Sequence, residues 1–126
     1  EVSPELRLQS IAEAWRGIIA VEIAVDSNLT VTTDVRLALD AIEECVANAA
    51  RHASATVVEV SMRHLPEGLE VVVRDNGSPF SHDAKMGMGS EWMFRISSGR
   101  MTRTRSTSGW NQVRLLLGGE ITESHS

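Results

Sequence analysis

Cysteine is almost absent from the chain, and long apolar runs are missing. The single Cys45 cannot form an internal disulfide, so the fold does not depend on an oxidising compartment. No stretch approaches the apolar length of a membrane span. Residues 1–4 include no Met and no apolar signal core. We therefore expect a piece of a longer protein that works in the cytoplasm, although processing can also remove an initial Met and the parent protein could carry a membrane anchor elsewhere.

Positive charge is also scarce. The chain has 12 Lys and Arg against 17 Asp and Glu, which gives a formal net charge of −5 at pH 7. Nucleic-acid binding requires a basic surface, so we expect no nucleic-acid partner. The local exception is a cluster of arginines, which is either the solvated face of a helix and a strand or a surface near a phosphate or an acidic partner. These arginines are Arg95, Arg100, Arg103 and Arg105.

Length and composition indicate one globular domain over residues 1–126, with a frayed tail over 118–126. Periodicity and turn residues predict the order helix, strand, helix, strand, strand, long loop, helix, strand, strand. Hairpin-linked strands beside a few helices indicate an α+β fold, a two-layer α/β sandwich whose mixed sheet is covered on one face by helices. The predicted helices are 4–15, 33–53 and 90–97, and the predicted strands are 18–25, 56–63, 69–74, 100–106 and 110–117.

The longest predicted helix has an apolar stripe on one side and polar side chains on the other. Glu44, Asn48 and Arg51 lie opposite the stripe, and His52 lies on its flank. The ordinary interpretation is a solvated polar face. Asn is a poor helix former, however, so an Asn in mid-helix favours a role for its amide oxygen. The stripe consists of Leu39, Ile42, Val46, Ala49 and Ala53.

Two further motifs follow the long helix. An apolar strand ends in Asp75-Asn76-Gly77, which alone would be a turn because Asn and Gly both tolerate positive φ. An ionised Asp at a strand end can also accept a hydrogen bond from an adenine amino group. Gly87-Met88-Gly89 precedes a predicted helix, where backbone amides could approach a phosphate.

The order and spacing of these motifs resemble the GHKL ATPase superfamily, which has the Bergerat fold. Residues 44–55 look like the N box of sensor histidine kinases with short ATP lids. Asp75-Asn76-Gly77 looks like the G1 box, and Gly87-Met88-Gly89 looks like the G2 box. The resemblance covers residues 37–117 and implies the catalytic ATP-binding domain of a two-component sensor histidine kinase.

The resemblance implies roles for the N-box residues. Asn48 resembles the ligand that ties Mg²⁺ to the ATP phosphates, and one Asn is adequate because Mg²⁺ takes few protein ligands. Glu44 resembles the family's catalytic acidic residue, a general base or water-orienter. Arg51 and His52 resemble the basic pair that faces the phosphates.

For the glycine boxes, Asp75 resembles the carboxylate that reads the adenine amino group, and Gly77 the turn beneath the base. Gly87 and Gly89 resemble the hinge where the lid meets the phosphate-facing helix. The family also implies partners: a dimerisation domain of the parent protein that carries the phosphoacceptor histidine, and indirectly a response regulator. The isolated chain is therefore expected to bind ATP and Mg²⁺ without acting as a kinase.

Three departures leave alternatives open. Gly-x-Gly is followed by Ser90 rather than Leu, and Gly109-Trp110-Asn111 replaces the family's closing Gly-Thr. Ser78-Pro79-Phe80 looks more like anti-sigma-factor serine/threonine kinases of the same superfamily. One alternative is therefore such a kinase, which acts on a partner protein. Another is a degenerate protein-binding module that has lost nucleotide.

Overall fold

The computed structural model describes residues 3–26, 29–79 and 88–119. Three helices and five strands occur in the predicted order within these ranges. Residues 120–126, most of the tail predicted to fray, lie outside them. The elements are α1 Pro4–Ala14, β1 Ala20–Val25, α2 Thr33–His52, β2 Val57–Leu65, β3 Gly68–Asp75, α3 Met88–Ile96, β4 Met101–Arg105 and β5 Asn111–Leu117.

The strands form one mixed sheet in the order β1-β2-β3-β5-β4. β1 and β2 pair in parallel because α2 crosses over between them, whereas the other neighbouring strands pair antiparallel. The predicted two-layer α+β fold is therefore confirmed.

The core lies between the helices and one face of the sheet. On α2, Leu39, Ile42, Val46 and Ala49 of the predicted stripe are buried, and Ala53 is half-buried after the helix has ended. The alternation of β2 and β3 supplies the opposite wall, since every second side chain points to the same face. The buried side chains of these strands include Val58, Val60, Met62, Leu69, Val71 and Val73.

The sequence predicts Ser3 as the N-cap of α1 and Thr33 or Asp34 as the N-cap of α2, and the structure agrees only at α1. Ser3 caps α1 as predicted, because its Oγ accepts the amide of Leu6 at 3.1 Å. The cap of α2 is Thr32, whose Oγ1 accepts the amide of Val35 at 3.1 Å, so the prediction of Thr33 or Asp34 is wrong. All three residues are good cap formers, and composition alone does not discriminate among them.

The starts of β1 and α3 also differ from the predicted ones. Ile18, predicted in the first strand, lies in the turn after α1 and is 66% exposed. That turn is closed by the amides of Ile18 and Ile19, which both donate to the carbonyl of Trp15. α3 begins at Met88 rather than Ser90, so Gly89 lies inside its first turn and not in a preceding loop.

The other face of the sheet carries paired charges instead of helices. Glu70 is only 6% exposed and accepts hydrogen bonds from Arg63 at 2.7 Å and Arg114 at 2.6 Å. Burial raises the pKa of Glu70, but the two arginines outweigh burial and leave that pKa below its ordinary value. Beside this group, Arg74 pairs with Glu59 at 2.7 Å and lies over the ring of Trp110.

No helix in the described parts of the chain is both long enough and apolar enough to cross a membrane.

Candidate functional site

A cleft lies between α2, α3 and the sheet, and it brings together two residues predicted to bind nucleotide. Asn48 enters it from the C-terminal part of α2, one turn before the helix ends, and Asp75 enters it from the end of β3. Asn48 was predicted to lie opposite the apolar stripe of α2, but the buried face of the helix is wider than that stripe because Ala41 and Cys45 are buried as well, and Asn48 lies beside them. The other lining residues are Cys45, Ala49, Val73, Met93, Met101, Arg103 and Val113.

The cleft is narrow. Its free volume is about 50 Å³, whereas pockets that hold drug-sized ligands have roughly 300–1,000 Å³. Two of its walls are Met93 and Met101. Methionine is unbranched and adapts its shape easily, so these side chains are the ones that can yield space to a planar ligand.

Asp75 is held rigidly at the sheet end of the cleft. Its side chain is nearly buried, and its Oδ1 accepts the amide of Gly77 at 2.8 Å and Nδ2 of Asn111 at 3.0 Å. None of the hydrogen bonds within residues 3–26, 29–79 and 88–119 uses Oδ2. One carboxylate oxygen is thus anchored while the other remains an acceptor.

Asn111 is a functional candidate that the sequence did not reveal as such. It is fully buried at the first position of β5, and its Nδ2 also donates to the carbonyl of Ser78 at 2.7 Å. Arg105 donates to its Oδ1 at 2.8 Å. The sequence signal was its place in Gly109-Trp110-Asn111, where the resembling family has Thr. A polar residue at the start of an apolar strand could have pointed to it.

Asn76 and Gly77 fasten the turn after β3 to neighbouring elements. The Oδ1 of Asn76 accepts the amides of Thr56 at 2.9 Å and Val57 at 3.0 Å, and its Nδ2 donates to Oγ1 of Thr56. A Cβ on Gly77 would lie 2.5 Å from the carbonyl oxygen of Ala53.

The predicted reason for Gly77 is therefore wrong. Gly77 does not have a positive φ, and neither does Asn76. Glycine is required because the turn packs against the backbone that ends α2, where the amide of Ser78 donates to the carbonyl of Ala53 at 2.8 Å. Gly77 is also not among the residues that line the cleft.

Asn48 is half-buried where it faces the cleft. Its side-chain amide makes no hydrogen bond to any residue that the structure describes. A helical amide without a described partner is not held by the part of the fold that the structure describes, so its oxygen is available to a ligand. Within the same described ranges, no group of three or more His, Cys, Asp or Glu side chains is arranged to hold a metal ion.

The other predicted N-box residues lie outside the cleft. Glu44 is half-buried one turn before Asn48, and Arg51 and His52 are exposed in the last turn of α2. Cations at a helix C-terminus also complement its dipole, which is an ordinary reason for finding them there. Of the G2 box, Gly87 lies outside the described residues, and Gly89 belongs to the first turn of α3.

The four arginines of the predicted basic cluster do not act as one surface. Arg100 donates to the carbonyls of Glu67 at 3.2 Å and Gly118 at 2.6 Å, so it joins the β2–β3 hairpin to the end of β5. Arg103 lines the cleft, and Arg105 donates to Asn111 and to the carbonyl of Gly77. Arg95 is exposed on α3.

Cys45 lies on the floor of the cleft as a neutral thiol. Burial, followed by the charges of Glu44 and Asp75, raises its pKa to about 12. Its Sγ lies 3.7 Å from Sδ of Met93, so the two sulfur atoms join α2 to α3. The thiol adds packing rather than charge to the cleft.

Comparisons with solved structures support the fold. The ATP-binding domain of PrrB from Mycobacterium tuberculosis superposes with a TM-score of 0.67 at 21% identity, over 94% of this chain and 96% of that one. The histidine kinase domain of the Escherichia coli osmosensor EnvZ gives 0.61 at 20% identity, over 95% and 88%.

A longer relative is the blue-light activated histidine kinase EL346 of Erythrobacter litoralis. It superposes with a TM-score of 0.66 at 25% identity, over 90% of this chain. The present chain spans 40% of that kinase. No protein with curated annotation matches the chain by sequence.

A family model described as a histidine kinase-like ATPase domain matches residues 5–110. This range includes all of α1 except its first residue, the N-box helix α2, the cleft residues Asn48 and Asp75, and the whole of β4. The match covers most of the chain and agrees with the fold and with the order of the motifs. The chain therefore belongs to the histidine kinase-like ATPase domain family of the GHKL superfamily.

Proposed function

We propose that this chain is the ATP-binding catalytic domain of a cytoplasmic sensor histidine kinase, and that it presents the γ-phosphate of ATP to a histidine on a dimerisation domain of its parent protein. The observation that carries the proposal is that Asn48 and Asp75, which come from different elements, line one cleft in a chain of this family.

The sheet end of the cleft suits the adenine base. Oδ2 of Asp75 is an acceptor in a nearly buried site, and the exocyclic amino group of adenine is a donor. A hydrogen bond to a charged acceptor in such a site contributes more than a neutral one. Val73, Val113 and the two methionines supply apolar contact for the ring.

The α2 end of the cleft suits the phosphates. The amide oxygen of Asn48 is a ligand of the kind that Mg²⁺ prefers, and the remaining ligands would be phosphate oxygens and water. When bound, the ion would neutralise charge on the phosphates during transfer. Arg51 and His52 follow Asn48 on α2 and would add positive charge beside the triphosphate. Gly89 at the start of α3 would let the backbone approach it, with Gly87 as the adjoining hinge.

The proposed reaction breaks the bond between the γ-phosphorus and its bridging oxygen and forms a bond to an imidazole nitrogen. In-line attack requires both groups to be held close together. Glu44, half-buried one turn before Asn48, would orient or deprotonate the attacking imidazole. ADP leaves, and the response regulator receives the phosphoryl group in a later step.

The two histidines in the described part of the chain are poorly suited to be the acceptor. His52 and His64 are exposed, on α2 and β2 respectively, and neither lines the cleft. His82 and His125 lie outside the described residues. This supports the proposal that the acceptor comes from the dimerisation helices of the parent protein.

The test is incubation with γ-labelled ATP and Mg²⁺. The isolated chain should acquire no acid-labile label, and the separately produced dimerisation segment of the parent protein should become labelled when the chain is added. The Glu44→Gln variant tests the proposed catalytic residue and should reduce this labelling without reducing ADP binding. Stoichiometric label on the isolated chain would contradict the proposal. An acid-stable label on a partner protein would move the assignment to the serine/threonine kinases of the superfamily.

A further inference from the structure

We propose that Asn111 is a positioning residue for base recognition, which fixes the Asp75 carboxylate so that its Oδ2 selects a base with an amino group. The inference rests on the proposed function, because it assumes that the cleft binds a nucleotide. It goes beyond that function by identifying the residue that makes the carboxylate selective.

The orientation of the Asn111 amide follows from its three neighbours. Nδ2 faces two acceptors, Oδ1 of Asp75 and the carbonyl of Ser78, while Oδ1 faces a donor, the guanidinium of Arg105. A flipped amide would oppose its oxygen to two acceptors and its NH₂ to a cation. Because Asn111 is fully buried, water cannot repair such a mismatch. One orientation is therefore strongly favoured.

The sheet register places the network in a single row. Asp75 on β3 lies opposite Asn111 on β5, which lies opposite Arg105 on β4. Arg105 Nη1 also donates to the carbonyl of Gly77 at 3.2 Å, which joins the far strand to the turn after β3. Three strands and the turn thus hold one carboxylate in place.

This arrangement has a consequence for specificity. Rotation of the Asp75 carboxylate would break the bonds from both Gly77 and Asn111, so Oδ2 keeps its position before a ligand arrives. A base with an amino group can donate to Oδ2. A base with a carbonyl at the same position would place its oxygen against Oδ2 of Asp75, and neither oxygen could donate a hydrogen bond. A buried site binds such a base much more weakly, because its polar groups stay without hydrogen-bond partners.

The experiment measures the dissociation constants of two nucleotides by titration calorimetry with Mg²⁺. ADP carries the 6-amino group, and purine riboside 5′-diphosphate lacks it. The unmodified chain should bind ADP more tightly than the analogue. In Asn111→Leu, ADP affinity should fall about tenfold while analogue affinity changes less than twofold, because only the amino group uses the positioned oxygen.

Arg105 supplies a second pair of variants that do not remove a buried side chain. Arg105→Ala should weaken ADP about threefold without affecting the analogue, and Arg105→Lys, which keeps a donor, should restore part of the loss. Arg114→Ala, on the opposite face of the sheet, is the matched control and should leave both affinities unchanged. If Asn111→Leu fails to fold by circular dichroism, the Arg105 pair decides.

The outcomes are distinguishable. Equal losses of affinity for ADP and for the analogue would mean that Asn111 has a merely structural role, and would overturn the inference. Unchanged selectivity for ADP in Asn111→Leu and in both Arg105 variants would also overturn it. Failure of the unmodified chain to bind either nucleotide would instead overturn the proposed function, and this inference with it. Selective loss for ADP alone would support both.

Discussion

The two ends of the cleft are built differently. At the sheet end, Asp75 and Asn111 are nearly or fully buried and joined by hydrogen bonds to three strands and a turn. At the α2 end, Asn48 makes no hydrogen bond to the described residues, and Arg51 and His52 are exposed. The hydrogen bonds of the sheet end are thus formed before a ligand arrives, whereas the polar groups of the α2 end are open to water and to a ligand.

The difference matches the chemistry of a nucleotide. A neutral base is recognised by directional hydrogen bonds and surface contact, which require fixed partners and exclusion of water. Phosphates are charged and are attracted electrostatically over a longer distance, and they also bind through metal ions and water. Exposed cations are therefore sufficient to bind them. The same contrast predicts which substitutions change ligand selectivity and which change affinity alone.

The largest expected effect belongs to Asp75→Asn. The new amide can keep its oxygen at the position of Oδ1, which preserves the bonds from Gly77 and Asn111, but its NH₂ then faces the base. We expect ADP affinity to fall about 10- to 100-fold, or roughly 1.5–3 kcal/mol, with little change in the unfolding midpoint. Titration with inosine diphosphate, whose base carries a carbonyl, is the control and should show no such loss. Unchanged ADP affinity would remove Asp75 from base recognition.

Asn48→Ala tests the α2 end of the cleft. The unfolding midpoint without ligand should stay unchanged or rise slightly, because Asn48 lacks a described partner and Ala is the better helix former. At a nucleotide concentration that stabilises the unmodified chain by about 2.7 kcal/mol, the stabilisation by Mg-ATP should fall to roughly 1.4 kcal/mol or less. Thermal melts with and without Mg-ATP measure the unfolding midpoint and the stabilisation by the ligand. A midpoint several degrees lower without ligand would show that Asn48 supports the fold instead.

Gly77→Ala should damage the fold at the sheet end. The new Cβ would lie 2.5 Å from a backbone oxygen of Ala53, which cannot move without displacing the end of α2. Such overpacking costs about 1–3 kcal/mol. Denaturant unfolding measures the loss. Gly17→Ala is a useful reference, because Gly17 has a φ of +88° but open space around it, so strain acts there without a clash. If Gly77→Ala is as stable as the unmodified chain, Gly77 does not pack closely against the backbone of Ala53.

The smallest effect is expected at the open face of the sheet, away from both ends of the cleft. Glu70 has a lowered pKa in the folded state, so its contribution to stability is present above the ordinary Glu pKa of about 4.3 and is lost as the pH falls through the lowered value. Glu70→Gln should cost about 1 kcal/mol at pH 7, and the difference should vanish in acid. ADP affinity should not change. A pH-independent difference would contradict this role for the ion pairs.

The fold was accessible from the sequence because its signals are local. The stripe on α2, the alternation in β2 and β3, and Ser3 before Pro4 each reflect a periodicity or a cap within a few residues. The motif order then led to the family, which is confirmed. The roles of the individual site residues stay predictions, although Asn48 and Asp75 do meet in one cleft.

The hydrogen-bond network around Asp75 was not accessible in the same way. Asn111 and Arg105 reach Asp75 only through the strand order β3-β5-β4, which brings distant parts of the chain into one row. Gly77 was expected from turn chemistry, whereas its requirement comes from contact with Ala53 at the end of α2. Such long-range contacts produce no periodic pattern in the sequence. The sequence therefore shows which residue type stands at a position, but not which contact requires it.

The central claim is that the cleft binds an adenine nucleotide and selects it at the sheet end. Titration calorimetry of the unmodified chain with Mg-ADP and Mg-GDP tests this claim most directly. We predict that ADP binds at least about tenfold more tightly than GDP, since guanine presents a carbonyl to the Asp75 oxygen that adenine's amino group would satisfy. Equal binding of the two nucleotides, or no heat with either up to millimolar concentration, would contradict it.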